Sequence, residues 1–304
     1  MKASHGWTAL KWLLTGAIIL WAVNLLQSGI PSPQKVWIAL KTIPWYWHLA
    51  ALLSATANWW TEAVKWRLLV SNLEKLSFKN AWKGLLVGAA ANNVIPFRVG
   101  EFFGRVLYLK PENRPAALLN NYFGATCQTL ITLAAGIPAA YALMGKEAEE
   151  YGRHSVFYIL PLILLLGIAW LMVRNRAKKP EWLEKWLMGF KHFSVLQIIG
   201  TFGLSALRYL IFGGFYAFFV IQFQLTDFST ALTGVACIFF IQTFTPGMIY
   251  TDAAVRLSLP LFVFALPDHQ KPLLLGIAVI NYFHNVLLPA FIGLIIFILH
   301  KWKP

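Results

Sequence analysis

The sequence predicts an all-α polytopic membrane protein that forms a single transmembrane domain over residues 1–304. Hydrophobic residues make up 58% of the chain and charged residues only 12%, about half of the charged fraction that is typical of a soluble domain. Several apolar runs reach the roughly 20 residues that a helix needs to cross a bilayer. A residue pattern also recurs 150 positions apart, which predicts two pseudo-repeats at about 1–150 and 151–304.

The recurring pattern consists of small residues, a proline and an acid that precedes an arginine by four positions. The first copy contains Ala81, Gly84, Pro96, Gly100, Glu101 and Arg105, and the second contains Ala231, Gly234, Pro246, Gly247, Asp252 and Arg256. Broken apolar segments at corresponding points of two halves are typical of transporters built from inverted repeats. The pattern therefore favours an internally duplicated transporter.

About six spanning helices and two re-entrant helical hairpins are expected along the chain. The spanning helices are predicted at residues 8–27, 45–66, 116–144, 155–174, 196–222 and 272–299, and the hairpins at 79–108 and 229–266. The first run follows Lys2 and Lys11 in the manner of a signal peptide. Because no small-x-small cleavage site follows it, we interpret it as a retained first helix.

Basic residues orient these elements. The connections at 65–83, 105–114 and 174–191 are rich in Lys and Arg, which predicts that they are cytoplasmic. The first hairpin would then dip in from the inside, and the second, between Asp227 and Asp268, from the outside. Because each half would cross the membrane three times, an odd number, the second half would be inverted relative to the first. The chain would then contain an inverted 3+3 repeat. The alternative is that both hairpins are ordinary pairs of spanning helices.

The same distribution of charge predicts the cellular location. Both termini are expected on the cytoplasmic side of the cell inner membrane, since Lys301 and Lys303 follow the last crossing. The net charge of +14 does not indicate nucleic-acid binding, because the basic residues lie in short connections between apolar runs. Residues 180–193 place Trp and Leu on one helical face. They predict an interfacial helix, which is either a linker or a recruiter of anionic lipid.

Charged residues inside apolar segments are the candidate functional residues, because an unpaired charge at bilayer depth is costly. The candidates for contact with a lipid headgroup are Arg98, Glu101, Arg105, Arg208, Asp252 and Arg256. Arg208 has no acid within four residues, so it must find a partner on another helix or face a cavity. The acid–arginine pairs could instead only neutralise each other and hold the hairpins in place.

A second group of residues is predicted to shape the bends of the two hairpins. These structural candidates are Asn92, Asn93, Pro96, Gly100, Pro246 and Gly247. Glu62 is expected to pair with Lys65 or Arg67, and both cations could snorkel to the inner interface. Cys127 and Cys237 have no metal-ligand spacing. No metal site, cofactor or catalytic motif is predicted.

The run Asn92-Asn93-Val94-Ile95-Pro96-Phe97-Arg98-Val99-Gly100-Glu101, followed by Arg105, resembles a known motif. It is similar to that of the lysylphosphatidylglycerol synthase transmembrane-region family, which comprises flippase-like integral membrane proteins. Residues 246–252 resemble the later Pro-Gly-Gly-x-Gly-x-x-Glu element of that family, with two glycines missing and Asp in place of Glu. The resemblance implies movement of lipids across the bilayer.

These observations lead to a hypothesis of function. The chain is expected to be a lipid translocase that moves a polar or anionic lipid, either an anionic phospholipid or an isoprenoid lipid, through a cavity between the hairpins. Three alternatives stay open: an enzyme that modifies a lipid or lipid-linked sugar, a carrier of small solutes, and an accessory membrane subunit of a partner lipid synthase. The sequence leaves the oligomeric state, the cargo and the energy source open.

Overall fold

The computed structural model describes residues 30–94, 99–144, 193–244 and 249–299, and these residues form helices and connections without a strand. Three earlier predictions concern other parts of the chain. The crossings at 8–27 and 155–174, and the interfacial helix at 180–193 apart from Phe193, lie outside the described residues. The helical membrane-protein class is confirmed by the remaining segments.

Nine helices occur in the described segments, in the following order along the chain. They are α1 (Pro33–Thr42), α2 (Trp45–Val70), α3 (Phe78–Val94), α4 (Val99–Val106), α5 (Arg114–Met144), α6 (Val195–Gln222), α7 (Phe228–Thr243), α8 (Ile249–Phe264) and α9 (Lys271–Leu299). A 3-10 turn at Pro111–Asn113 precedes α5, and α9 contains a π-helical turn at Phe283–Leu287.

Three of the described helical segments are long and apolar enough to cross a membrane: Pro111–Leu143, Val195–Gln222 and Lys271–Leu299. They coincide with the crossings predicted at 116–144, 196–222 and 272–299. Helix α2 covers the predicted crossing at 45–66 but is not among the three, and it carries Glu62, Lys65 and Arg67. Each predicted hairpin consists of two helices, α3 with α4 and α7 with α8.

Local hydrogen bonds explain where two of these helices begin. At the start of α6, Gln197 N donates to Ser194 Oγ at 3.1 Å, and Ser194 N donates to Gln197 Oε1 at 2.9 Å. This reciprocal capping box satisfies two backbone donors that a helix start leaves open. At the start of α7, Thr230 N donates to Asp227 Oδ1 at 3.1 Å. The hydrogen bond from the Thr230 side chain lowers the pKa of Asp227.

Helices α2 and α6 pack against each other along most of their length and run antiparallel. The contacts between them follow opposite orders on the two helices: Trp47 with Phe219, Ser54 with Ile211, Asn58 with Arg208, and Leu68 with Gln197. The rings of Trp47 and Phe219 stack with their centroids 4.7 Å apart. Asn58 and Arg208, which are 150 positions apart in the sequence, therefore face each other near the middle of the pair.

The two helices of the first hairpin approach each other through glycines. A Cβ added to Gly104 would lie 2.2 Å from Gly88 N, and a Cβ added to Gly100 would lie 2.4 Å from Ala91 O. A Cβ on Gly293 of α9 would lie 1.7 Å from Leu86 O. Backbones this close leave no space for a side chain. Gly100, predicted to shape the bend, thus lies within α4 as a packing residue against α3.

Each hairpin also packs against the last helix of the other half of the chain. Helix α3 packs on the C-terminal part of α9, and α7 packs on α5. In the second contact, a Cβ on Gly136 of α5 would lie 2.3 Å from Phe240 Cβ of α7. This exchange of partners brings both hairpins beside the α2–α6 pair, so polar residues from the two halves meet in one place.

Candidate functional site

The most deeply buried charges of the described residues surround Glu62 on α2. Lys65 Nζ lies 2.7 Å from Glu62 Oε2, Arg208 Nη1 lies 2.8 Å from the same oxygen, and Arg105 Nη1 lies 2.6 Å from Oε1. The side chains of Glu62 and Lys65 are each only 2% exposed. We call these four residues the Glu62 network. Since buried charges require partners, the network ties together α2, α4 and α6.

Of the two expected partners of Glu62, the structure shows Lys65. Lys65 does not extend to the membrane interface, which was the other possibility for this residue, because it is buried and bound to Glu62 on the preceding turn of α2. Arg67 does not pair with Glu62; its Nε donates to the carbonyl of Leu76 at 3.0 Å. Two other cations from distant helices fill the space around the carboxylate.

Arg105 lies behind Glu101 and does not line the cavity that is found between the two hairpins. Its Nη1 donates to Glu62 and, at 2.9 Å, to Asn121 Oδ1, while Nη2 donates to Glu101 Oε1. Its guanidinium is buried, whereas the Glu101 side chain is 27% exposed. The predicted pair of Glu101 and Arg105 is therefore present, with the acid at the surface of a cavity and the arginine holding it from behind.

Arg208 was expected either to find a partner on another helix or to face a cavity, and the structure shows both. It finds partners on another helix, because Nε donates to Asn58 Oδ1 at 2.9 Å and Nη1 donates to Glu62. It also lines the cavity, with 24% of its side chain exposed. Asn58 Nδ2 in turn donates to Asn285 Oδ1 at 3.2 Å. Nη2 of Arg208 has no hydrogen-bond acceptor among the described residues.

The second acid–arginine pair is also present. Arg256 Nε donates to Asp252 Oδ2 at 2.6 Å, and Arg256 Nη1 lies 3.5 Å from Gln242 Oε1. Both charged side chains are partly exposed. The pair lies on α8 and Gln242 lies on α7, so these three residues all belong to the second hairpin. In contrast to Arg105, Arg256 reaches the cavity surface.

A single cavity of about 230 Å³ brings the two hairpins together. Its wall includes Glu101 of the first hairpin, Asp252 and Arg256 of the second, and Arg208 of α6. The volume exceeds the roughly 30 Å³ that one water molecule occupies in the liquid. The cavity therefore has room for several waters or for a compact polar group.

Residues 150 positions apart recur across this cavity. Four such pairs lie on its wall: Asn58 with Arg208, Trp59 with Tyr209, Ala89 with Phe239, and Asn92 with Gln242. The members of each pair come from α2 and α6 or from α3 and α7. The cavity thus lies where residues at this constant sequence offset face each other.

Several buried polar atoms on the cavity wall have no hydrogen-bond partner among the described residues. They are Asn92 Oδ1, Gln128 Oε1, Tyr209 Oη and Asn285 Nδ2. Buried polar groups are nearly always hydrogen-bonded in folded proteins, so these donors and acceptors point to water or a polar ligand in the cavity. Asn92, which was predicted to shape the bend, lies on this wall.

The charges of the site do not balance. The Glu62 network and the cavity wall contain four described cations, namely Lys65, Arg105, Arg208 and Arg256. They contain three carboxylates, namely Glu62, Glu101 and Asp252. If all are ionised, one positive charge is left over among the described residues, and Nη2 of Arg208 and Nη2 of Arg256 both lack a hydrogen-bond acceptor there. A site of this kind attracts a group with one negative charge.

Some predicted site residues cannot be placed. Arg98, Pro96, Pro246 and Gly247 lie outside the described residues, as does the side chain of Asn93. Asn58, Gln128 and Gln242 were not predicted as site residues. The 150-residue offset could have identified two of them, because it pairs Asn58 with Arg208 and Gln242 with Asn92. No group of three His, Cys, Asp or Glu residues that could hold a metal ion occurs in the described segments.

Comparison with known proteins gives one finding. The family model of the lysylphosphatidylglycerol synthase transmembrane region matches residues 9–267 of the chain. Neither a curated protein nor a solved structure matches the chain significantly. The family match includes both hairpins and every charged residue of the cavity wall and the Glu62 network.

Proposed function

Because the chain belongs to the lysylphosphatidylglycerol synthase transmembrane-region family, we propose that it translocates a polar or anionic lipid between the two leaflets of the inner membrane. The family is one of lipid-handling membrane proteins. The observation that carries the proposal is the single cavity lined by charged residues from both hairpins. A lipid headgroup needs a charged, hydrated cavity at membrane depth in order to cross the hydrocarbon core.

The proposed architecture has six crossings and two re-entrant hairpins. Helix α4 has 8 residues, which gives a length of about 12 Å, well short of the roughly 30 Å hydrocarbon core. Helices α7 and α8 have 16 residues each, or about 24 Å. These lengths support hairpins that enter and leave on one side. Both termini are proposed to be cytoplasmic.

The proposed inverted repeat rests on equivalent positions. Helix α6 begins 150 positions after α2, at Val195 and Trp45, and α7 begins 150 positions after α3, at Phe228 and Phe78. Helices α2 and α6 run antiparallel, and their contact at Asn58 and Arg208 joins equivalent positions. This is the geometry expected around a pseudo-twofold axis in the membrane plane, and it supports the pseudo-repeats at about 1–150 and 151–304.

In the proposed mechanism, the headgroup enters the cavity while the acyl tails stay in the hydrocarbon. The guanidinium of Arg208 offers its free Nη2 to a phosphate oxygen, because a phosphate matches the forked donors of arginine. Glu101 and Asp252, at opposite hairpins, accept hydrogen bonds from hydroxyl or amine groups of the headgroup. The hairpins rock about the α2–α6 pair and expose the cavity to each leaflet in turn.

Leaflet exchange of fluorescent phospholipids in proteoliposomes tests this proposal. Glu101→Gln removes a cavity charge but keeps the side-chain size and an oxygen that accepts from Arg105. We expect the native protein to exchange lipid and Glu101→Gln to lose that exchange while remaining folded. The matched control is Glu112→Gln, the same substitution at an exposed residue before α5, which should exchange normally.

Two results would overturn the proposal. One is normal exchange by a stable Glu101→Gln protein, and the other is no exchange of any anionic, zwitterionic or isoprenoid lipid by the native protein. Mass spectrometry of the same lipids would identify a chemically altered product if the chain acts as an enzyme. Dependence on a soluble synthase would indicate an accessory subunit, and uptake of a small solute driven by a pH gradient would indicate a carrier.

A further inference from the structure

A second concavity lies outside the cavity, on the side of the bundle where α3 begins. It is a groove of about 500 Å³ between α2, α3 and α9, within the usual range for sites that hold small ligands. Its walls are almost entirely apolar and aromatic, with two lysines. We call it the aromatic groove, and its residues are Thr56, Trp60, Phe78, Lys79, Trp82, Lys83, Leu86, Ile292 and Ile296.

Three aromatic rings form one wall of this groove. The ring centroids of Trp60 and Phe78 are 4.3 Å apart, and those of Phe78 and Trp82 are 5.8 Å apart. The opposite side is aliphatic, with Ile292 and Ile296 on α9. The three rings contact one another, but Trp60 remains 55% exposed. The surface of this wall is therefore accessible to a ligand. Its chemistry suits a hydrocarbon chain rather than a polar solute.

Two lysines line the groove. Lys79 is exposed and Lys83 is half-buried, and they are four residues apart on the first turns of α3. Neither has a carboxylate within ion-pair distance in the described segments. A half-buried lysine beside tryptophan rings, with no described acid to balance it, favours an anion from outside the chain.

The same face of α3 continues from the groove to the cavity. Lys79, Trp82, Lys83 and Leu86 line the groove, and Ala89 lines the cavity one turn further along. At 100° per residue these positions all lie on one side of the helix. On α2, the neighbouring residues Trp59 and Trp60 line the cavity and the groove respectively. The two sites thus share walls on the same helices.

We propose that the aromatic groove binds one anionic phospholipid, with its headgroup phosphate at Lys79 and Lys83 and one acyl chain between Trp60 and Ile292. The charge of the lysines complements the headgroup, and the apolar walls complement the chain. This site holds the lipid at the side of the protein before its headgroup reaches the cavity. The later movement of the headgroup into the cavity rests on the proposed function. Binding of the lipid in the groove does not, because it requires no translocation.

Photo-crosslinking tests the groove directly. The native protein is placed in vesicles that contain phosphatidylglycerol or phosphatidylcholine with a diazirine on the acyl chain, and the crosslinked residues are identified by mass spectrometry. We expect crosslinks at groove residues about 25-fold more often with the anionic lipid, since each of two lysines near a membrane surface favours it about fivefold. Lys79→Gln/Lys83→Gln should abolish that preference.

A matched control separates a built site from general surface charge. Lys75→Gln/Lys110→Gln removes the same charge from exposed positions in the neighbouring connections, and the anionic preference should persist. Ile292→Trp fills the groove from an exposed position, so it should reduce crosslinking of both lipids. Ile198→Trp, on the exposed face of α6, should leave crosslinking unchanged.

The outcomes are distinct. Equal crosslinking of the two lipids by the native protein would mean that the groove holds only bulk membrane lipid, and the proposal would be wrong. Equal loss of preference in the two lysine double variants would also overturn it. Glu101→Gln should crosslink like the native protein. A result with normal groove binding and no lipid exchange would therefore overturn the proposed translocation while leaving this site intact.

Discussion

Replacement of Glu62 by glutamine tests whether the Glu62 network holds α2, α4 and α6 together. In the native protein, Oε1 accepts from Arg105, and Oε2 contacts both Lys65 and Arg208. An amide offers one acceptor oxygen, so one side of the network must face an NH2 group. It also lacks the negative charge that offsets three cations, two of which are buried.

The expected magnitude follows from the burial. Removal of one partner from a buried ion pair typically costs about 3–5 kcal/mol, because the remaining charge is left uncompensated. For a chain of this size that loss corresponds to a fall in melting temperature on the order of 10 °C. Glu101→Gln should cost much less, on the order of 1 kcal/mol, because Glu101 is partly exposed and Arg105 keeps Glu62 and Asn121 as partners.

Thermal unfolding of purified protein in detergent measures the difference. The double variant Glu62→Gln/Lys65→Met provides the decisive comparison, because it removes the buried cation that Glu62→Gln leaves unpaired. We expect the double variant to recover at least half of the lost melting temperature. A Glu62→Gln protein that melts with the native one would refute the reasoning. A double variant that melts lower than Glu62→Gln would show that packing, rather than uncompensated charge, determines the loss.

Three further predictions concern the hairpins, the cavity charge and a helix cap. Gly104→Ala would bring a Cβ within 2.2 Å of Gly88 N and should cost about 1–3 kcal/mol by overpacking, whereas Gly203→Ala, with open space around its Cβ, should be neutral or stabilising in a melting assay. Arg208→Gln removes the excess positive charge of the site, so exchange of anionic lipid should fall at least tenfold more than exchange of zwitterionic lipid; an equal loss for both would contradict the charge argument. The lowered pKa of Asp227 means that its cap on α7 persists above the ordinary carboxyl pKa of about 4 and is lost as pH falls through the lower folded value. The protection factor of the Thr230 amide should therefore fall only below the ordinary carboxyl pKa, and the Asp227→Asn protein should lack that pH-dependent fall.

Local spacing in the sequence predicted those parts of the site that depend on one helix. Glu101 with Arg105, and Asp252 with Arg256, are pairs four residues apart, and helical geometry alone places such side chains together. Pro96 and Pro246 lie between the two described helices of each predicted hairpin, in segments outside the described residues. Arg208 was correctly expected to find a partner on another helix, because no acid was near it in sequence.

The parts that the sequence did not reveal depend on packing between distant helices. Glu62 looked like a residue at a helix end, yet it is the centre of a network whose cations come from α2, α4 and α6. Arg105 was predicted to contact a headgroup, and in the structure its buried guanidinium donates to Glu62 on α2, while α3 and α4 approach closely at their glycines. Such orientations depend on how closely two backbones approach, which residue spacing along one helix does not encode.

The anchoring of Arg208 has an electrical consequence. Because Asn58 and Glu62 both hold its guanidinium, this positive charge would stay with the protein during the proposed translocation. A lipid with one net negative charge would then cross without a companion ion, and each event would generate current. A membrane voltage of 100 mV does about 2.3 kcal/mol of work on one elementary charge. With the cell interior negative, that work would favour outward movement of anionic lipid and leave zwitterionic lipid unaffected.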